Sequence, residues 1–318
     1  MSSTSLPTQV PLRIISLIAS ATEIVCALGF EDQLVGRSHE CDYPLSVKLL
    51  PQCTSPKFEV EGSSRQIDER VKSLVEDALS VYRVDPQILE ELQPTHIITQ
   101  SQCEVCAVSL KDVEQAVCEL TTSHPMIVSL EPNTLGDVWT DIQRVGDALD
   151  ASDRAQQLVD KLESRMDEVI QRTHWLATNP SVACIEWIEP LMAAGNWMPE
   201  LVAMAGGVNL FGESGKHSPW MTWEDLVSKD PDILFVSPCG FSVTRTLQEM
   251  DLLASRPEWK GIKAVRSGCV FVADGNQYFH RPGPRLAESL EILAEIIHPN
   301  VFHFGYEGRG WVKYDFGF

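Results

Sequence analysis

The chain is poor in positive charge. Lys and Arg number 25 against 45 Asp and Glu, which gives a formal net charge of −20 at pH 7. Such a surface repels polyanions, so nucleic acid is excluded as an expected partner. Long apolar runs are also missing: none reaches the ~18 consecutive residues that a membrane-spanning helix requires. The amino terminus, MSSTSLPTQVPLRIISL, has no basic start and no separate apolar stretch. It therefore reads as lacking a secretory signal, and the expected location is cytoplasmic. Cysteine is present but odd in number, 9 residues at positions 26, 41, 53, 103, 106, 118, 184, 239 and 269. An odd count in a large chain without a signal argues against a disulfide framework and for reduced thiols. Several catalytic motifs are absent as well. There is no G-x-G-x-x-G, FGESGKHS misses the phosphate-loop spacing, SHECDY has no second His at helical spacing, and no G-x-S-x-G occurs. These absences count against a dinucleotide enzyme, an NTPase, a zincin and a serine hydrolase.

What is there is an alternation. The length, 318 residues with 44% hydrophobic and 22% charged, suits a soluble protein of two domains. RIISLIAS (13–20) is a buried-strand pattern. A helix follows, with Ser20 and Thr22 as cap candidates, Glu23 in its first turn and Gly29 as its stop. DQLVGRS (32–38) is a second strand and HECDYP (39–44) a loop. The charged stretch 61–82 patterns as a surface helix inserted into the alternation. DPQILEELQP reads as a capped helix, THIITQ as a β-branched strand, SLKDVEQAVCEL as an amphipathic helix and PMIVSLEP as a strand. This order predicts a parallel sheet with helices on both faces. Residues 134–175 are helical almost without interruption, and then strands and helices alternate again to 299. The expected fold is α/β: an N-terminal lobe over 11–150, a linker helix over 151–175, a C-terminal lobe over 176–299 and an aromatic tail over 300–318 that packs back on the body.

In open parallel sheets, ligands bind outside the carboxyl ends of the strands. The loops at those ends are HECDYP, SQCEVCAVS, EPLMAAGNWMP, CGFSVTR and NQYFHRPGPR. They gather His39, Cys41, Cys103, Cys106, Trp197, Cys239 and His280, with Trp187 just before the third. Soft metal donors and large aromatics thus converge on one rim. Each residue also has a plainer reading. Cys103 and Cys106 fit packing at a helix entry as well as chemistry. His39 fits a strand cap, His280 a helix cap, and Trp187 and Trp197 a core. Cys26, Cys118 and Cys184 lie within regular elements and read as core.

RIISLIASATEIVCALGFEDQLVGRSHECDYP resembles the opening of the periplasmic binding proteins for cobalamin and iron–siderophore complexes. LEELQPTHIITQ, GGVNLFG with WMTWEDLVSKDPDILFVS, and NQYFHRPGPR extend the likeness over roughly 12–298, and it is nearest to the cobalamin-binding branch. The resemblance implies two α/β lobes joined by one long helix, with a ligand cleft between them. It also implies a monomer that binds a small molecule and catalyses nothing. The ligand would be a cobalamin-like corrinoid or related metal chelate, bound as by an ABC-importer substrate-binding protein or an intracellular derivative of one. Carried over position by position, the contact residues are Tyr43, Phe58, Gln102, Trp187, Trp197, Trp220, Tyr278, Phe279 and His280. Relatives that dock on a transporter use a surface carboxylate on each lobe. Here the second position is Glu224 but the first is the neutral Gln87, which speaks against docking.

Two alternatives stand beside this reading. His39, Cys41, Cys103 and Cys106 would make a tetrahedral zinc set if they converge. A cysteine nucleophile with His39 or His280 as base, oriented by Glu40, Asp42 or Glu186, would make an enzyme.

Overall fold

The computed structural model describes residues 11–76, 82–101, 110–120 and 122–315. The chain divides into two compact units. Among the described residues, 11–57, 82–101, 110–120 and 122–130 form the first, and 58–76 and 131–315 form the second.

In chain order the first stretch holds β1 (Ile14–Ser16), α1 (Ala19–Ala27), β2 (Leu34–Arg37), β3 (Thr54–Pro56), α2 (Ser64–Glu76), β4 (Tyr82–Val84), α3 (Pro86–Leu92), β5 (His96–Gln100), α4 (Leu110–Leu120) and β6 (Met126–Leu130). All but α2 belong to the first unit. Its sheet runs β2–β1–β5–β6 with every pairing parallel, while β3 and β4 form a separate antiparallel ribbon. Ile14, Ile15, Ile97 and Ile98 are fully buried, as strands covered on both faces require. The helix α3 is capped as its sequence predicts. Asp85 accepts from the amides of Gln87 and Ile88, and Pro86 opens the helix. The start of α1 differs from expectation. It begins at Ala19 without a side-chain cap, because Ser20 and Thr22 are buried and their hydroxyls face the interior. Gly29, at φ +80°, closes the helix.

The second unit continues with α5 (Leu135–Ala148), α6 (Ser152–Thr173), β7 (Ser181–Trp187), β8 (Met192–Ala193), α7 (Met198–Met204), β9 (Val208–Asn209), α8 (Trp223–Lys229) and β10 (Ile233–Val236). It ends with α9 (Val243–Leu247), α10 (Met250–Ala254), α11 (Lys263–Arg266), β11 (Val270–Ala273), α12 (Leu286–Ile297) and β12 (Trp311–Lys313). Its sheet runs β12–β11–β10–β7–β8, with β9 also on β7; β7, β9, β10 and β11 are parallel, and β8 and β12 antiparallel. One face carries Ala183, Ile185, Leu234, Val236, Val270 and Val272 against Trp223, Leu226, Leu253 and Trp259. The alternate residues point the other way, where Phe235 meets Phe279 edge-on and Phe271 meets Trp311. Each large side chain so buried contributes about 1.5–3 kcal/mol.

The stretch 134–175 holds two helices, α5 and α6, with the break at 149–151. The chain turns at Asp150, in the left-handed region at φ +54°, and α5 folds back on α6. A Cβ at Gly146 would lie 2.4 Å from that of Ala155, so glycine permits the close crossing. The stripe Ala155, Val159, Leu162, Met166 and Val169 is buried, and α6 packs on α5, α7 and α12. Residues 131–175, helix α6 included, thus pack as part of the second unit. The aromatic tail supplies β12, which covers the free edge of β11. Glu295 accepts from the Tyr306 amide (3.1 Å) and the Trp311 ring (3.0 Å), and Arg165 forks onto Glu291.

Candidate functional site

Both sheets reverse their strand order beside their first strand. From β1 the chain passes to β2 on one side and later to β5 on the other; from β7 it passes to β8 and β9, then to β10. Such a switch point opens a crevice at the carboxyl ends of the strands. Ser16–Ile18 and Ser38–Cys41 form the first rim. Glu186, Trp187 and the loop Ser237–Phe241 form the second.

The first rim is a network of small polar groups. Thr22 Oγ1 lies 2.8 Å from Ser16 Oγ and 2.9 Å from Cys41 Sγ, with Cys41 buried. Thr54 Oγ1 accepts the His39 amide (3.1 Å), bonds His39 Nδ1 (2.7 Å) and reaches Ser38 Oγ (3.1 Å). The His39 ring packs on Tyr82, centroids 4.9 Å apart, and Tyr82 donates to Glu40. Burial, with the Arg37 charge second, holds His39 down at about 4, so its ring is neutral near pH 7. Its Nε2 is buried with no hydrogen-bond partner among the described residues.

The second rim is aromatic over an acid and an imidazole. Trp187 packs on Phe241 (centroids 5.2 Å), and the Arg245 guanidinium sits over Phe241 at 4.5 Å. The Trp187 ring N–H is buried with no acceptor among the described residues. Below, Glu186 accepts from the Ser218 hydroxyl (2.8 Å), which in turn accepts from the Gly195 amide (3.1 Å). A Cβ at Gly195 would lie 2.5 Å from the Lys216 carbonyl, so glycine lets the two loops close and aims Ser218 at Glu186. His280 Nε2 donates to the Ser237 carbonyl at 2.6 Å, which turns Nδ1 toward Glu186 Oε2, 3.8 Å away. Trp220 is 56% exposed, with Lys72 Nζ 4.8 Å above its ring.

The residues singled out from sequence fall into distinct places. Trp187 and His280 stand at the second rim. Tyr43, 43% exposed, stands beside Leu45 and Leu49, also exposed, on the loop that follows the first rim. Phe58 is half-buried where the second unit begins. Tyr278 is half-buried against Tyr306 and beneath Arg285. Two of the residues expected on a ligand-facing wall are buried. Phe279 is fully buried against Phe235, and Trp197 is buried with its ring N–H donated to the Phe279 carbonyl (2.8 Å). Both side chains fill the core because the loop folds inward over the sheet face that Phe235 occupies. Gln102, Cys103 and Cys106 lie outside the described residues. Among the described residues no group of three or more His, Cys, Asp or Glu side chains could hold a metal ion, and none of the cysteines is bridged. Burial pushes the thiols of Cys26, Cys53 and Cys184 up to about 12, where they are inert as nucleophiles. Gln87 and Glu224 are both exposed.

Phe241 and Ser218 were not picked out in sequence. Phe241 had a signal, a large apolar residue in the loop that follows the buried strand β10. Ser218 had none, since its partner Glu186 is 32 residues away. A groove of about 800 Å³ lies at the opposite, amino ends of the strands, between Pro180, Asp232, Cys269 and Lys313. Two of the carboxylates lining it are already engaged, Asp232 by Ser181 and Lys263 and Glu295 by the tail.

A family model described as periplasmic binding protein matches residues 14–276. The chain belongs to the periplasmic binding protein family. The family is one of substrate-binding proteins rather than enzymes, and that is this protein's general role. Among curated relatives, the uncharacterized ABC transporter substrate-binding lipoprotein YvrC of Bacillus subtilis is 25% identical, over 92% of this chain and 82% of its own. The vitamin B12-binding protein of Photorhabdus laumondii is 23% identical over 91% and 89%. The periplasmic heme-binding protein RhuT of Roseiflexus sp. RS-1, in apo form, superposes with a TM-score of 0.68 at 21% identity, over 92% of this chain and 100% of that one. The periplasmic vitamin B12-binding protein BtuF of Vibrio cholerae gives 0.61 at 19%, over 90% and 96%. At these identities the superpositions establish a shared α/β fold with parallel sheets. No helix among the described residues is long and apolar enough to cross a membrane.

Proposed function

We propose that the protein binds a corrinoid or closely related metal tetrapyrrole, and that the second unit's carboxyl-end rim supplies part of the surface that takes it. The observation that carries this reading is the group of aromatic rings at that switch point: Trp187, half-buried and packed on the buried Phe241, with Trp220 exposed beside them. Flat macrocycles are held by aromatic walls with few charges, and the buried Trp187 N–H offers a hydrogen bond to a ligand acceptor. Relatives named for vitamin B12 and for heme support the same ligand class. The test is titration of the purified protein with cyanocobalamin and with hemin, read by visible spectrum and tryptophan fluorescence. Saturable binding of one of them with quenching is expected. No binding of either at tens of micromolar would overturn the proposal.

A further inference from the structure

Helix α2 has an unusual attachment. The strands on either side of it, β3 and β4, pair with each other in the first unit, Thr54 opposite Val84 and Pro56 opposite Tyr82. Residues 58–76 between them nonetheless belong to the second unit. The helix is locally well specified. The Ser63 amide donates to Gln66 Oε1 and the Gln66 amide to Ser63 Oγ, a reciprocal cap, and Arg70 closes on the carbonyls of Glu59 (2.7 Å) and Glu61 (2.5 Å).

Its seat is polar. The Ser64 amide donates to both oxygens of Glu249, at 2.8 and 3.1 Å, and both residues are buried. A carboxylate there also meets the positive end of the helix dipole. Arg245 bonds Glu249 (2.5 Å) and the Gly62 carbonyl, and it is this same guanidinium that lies over Phe241. Arg65 pairs with Glu189, two residues beyond Trp187, and Lys72 lies over Trp220. These contacts fall on the rim that carries the aromatic rings. Over residues 64–74 only Ser64 is buried, while Ile67, Val71 and Leu74 are half-buried. A segment held by a few ion pairs and backbone hydrogen bonds, with little apolar burial, opens more readily than the core beneath it.

We propose that residues 58–76 are a latched lid over the aromatic rim of the second unit. Glu249 with Arg245 forms the main latch, and Arg65–Glu189 and Lys72–Trp220 form the outer contacts. The role of the lid in ligand exchange rests on the tetrapyrrole reading; the latch itself does not.

Two variants of the full chain test it, Glu249→Ala and the exposed-site change Arg65→Gln, the second chosen because it does not threaten the fold. Hydrogen exchange and hydroxyl-radical footprinting of the ligand-free protein are read peptide by peptide. The lid predicts severalfold faster exchange over 64–76, and greater oxidation of Trp220 and Trp187, while β7, β10 and β11 stay protected. Unchanged exchange over 64–76 in both variants, or exchange rising throughout the second unit, would overturn the latch. Faster exchange with unchanged oxidation of both tryptophans would overturn the covering role. Stopped-flow mixing with cyanocobalamin then reads the gate. Association and dissociation should both accelerate severalfold with little change in affinity, and equal rates in wild type and variants would refute gating. Failure of the wild type to bind cyanocobalamin or hemin counts against the ligand reading, and the footprinting result alone then decides the lid.

Discussion

The two rims occupy equivalent positions at the switch points of two parallel sheets, yet they are built of opposite materials. The first is made of Ser16, Thr22, Ser38, Cys41, Thr54 and His39, small groups that bond one another. The second is made of Trp187, Phe241 and Trp220 above a Glu186–Ser218 bond and a carbonyl-locked His280. One rim is held in shape by hydroxyls and the other by ring packing. Shared topology thus fixes where a rim lies, and the residues on it fix what it can touch.

The largest effect should come from the aromatics of the second unit that are core rather than surface. Trp197→Ala and Phe279→Ala should each cost about 3–5 kcal/mol in denaturant unfolding. A cost near zero would return these residues to the rim. Next comes the hydroxyl network of the first unit. Thr54→Val removes the partner of the His39 amide, the His39 ring and Ser38 together, and should cost about 1–3 kcal/mol by the same measurement. Thr54→Ser, which keeps the hydroxyl, should cost less.

Acid should separate the two units by sign. The folded first unit holds His39 down at about 4, against an ordinary 6.5. That contribution to stability is present above pH 6.5 and is lost as pH falls through 4. In the second unit, burial raises Asp141 to about 6 despite its pairing with Arg144. Its contribution is full below 3.8 and is lost as pH rises through 6. Thermal melts between pH 4 and 6.5 should therefore change slope in opposite directions: His39→Gln should remove a loss on acidification, and Asp141→Asn should remove a gain. Slopes unaffected by either substitution would count against both assignments.

Much of this architecture was legible in the chain. The β-branched runs at 13–20, 95–100 and 231–238 became buried parallel strands because sheets covered on both faces need continuous apolar sequence. What was not legible depended on distant partners. Strand patterning does not say whether an aromatic in a strand-end loop turns inward, as Phe279 does onto Phe235. The short hydroxyl side chains of Ser20 and Thr22 suit a helix cap and a buried position equally, and Thr22 bonds Ser16 and Cys41 in the interior. The attachment of α2 to the second unit depends on Glu249, 185 residues away from Ser64. Short edge strands such as β12 and β8 carry too few residues to show a period.

The smallest stability effect and the sharpest functional one should coincide at Trp220. Its ring is 56% exposed, so Trp220→Ala should change unfolding free energy by no more than about 0.5 kcal/mol. Isothermal titration of this variant against wild type, with whichever of cyanocobalamin and hemin the wild type binds, tests directly whether the aromatic rim is the ligand surface. The account predicts an affinity loss of roughly tenfold or more, about 1.4 kcal/mol, at unchanged stability. Wild-type affinity in the variant would contradict it.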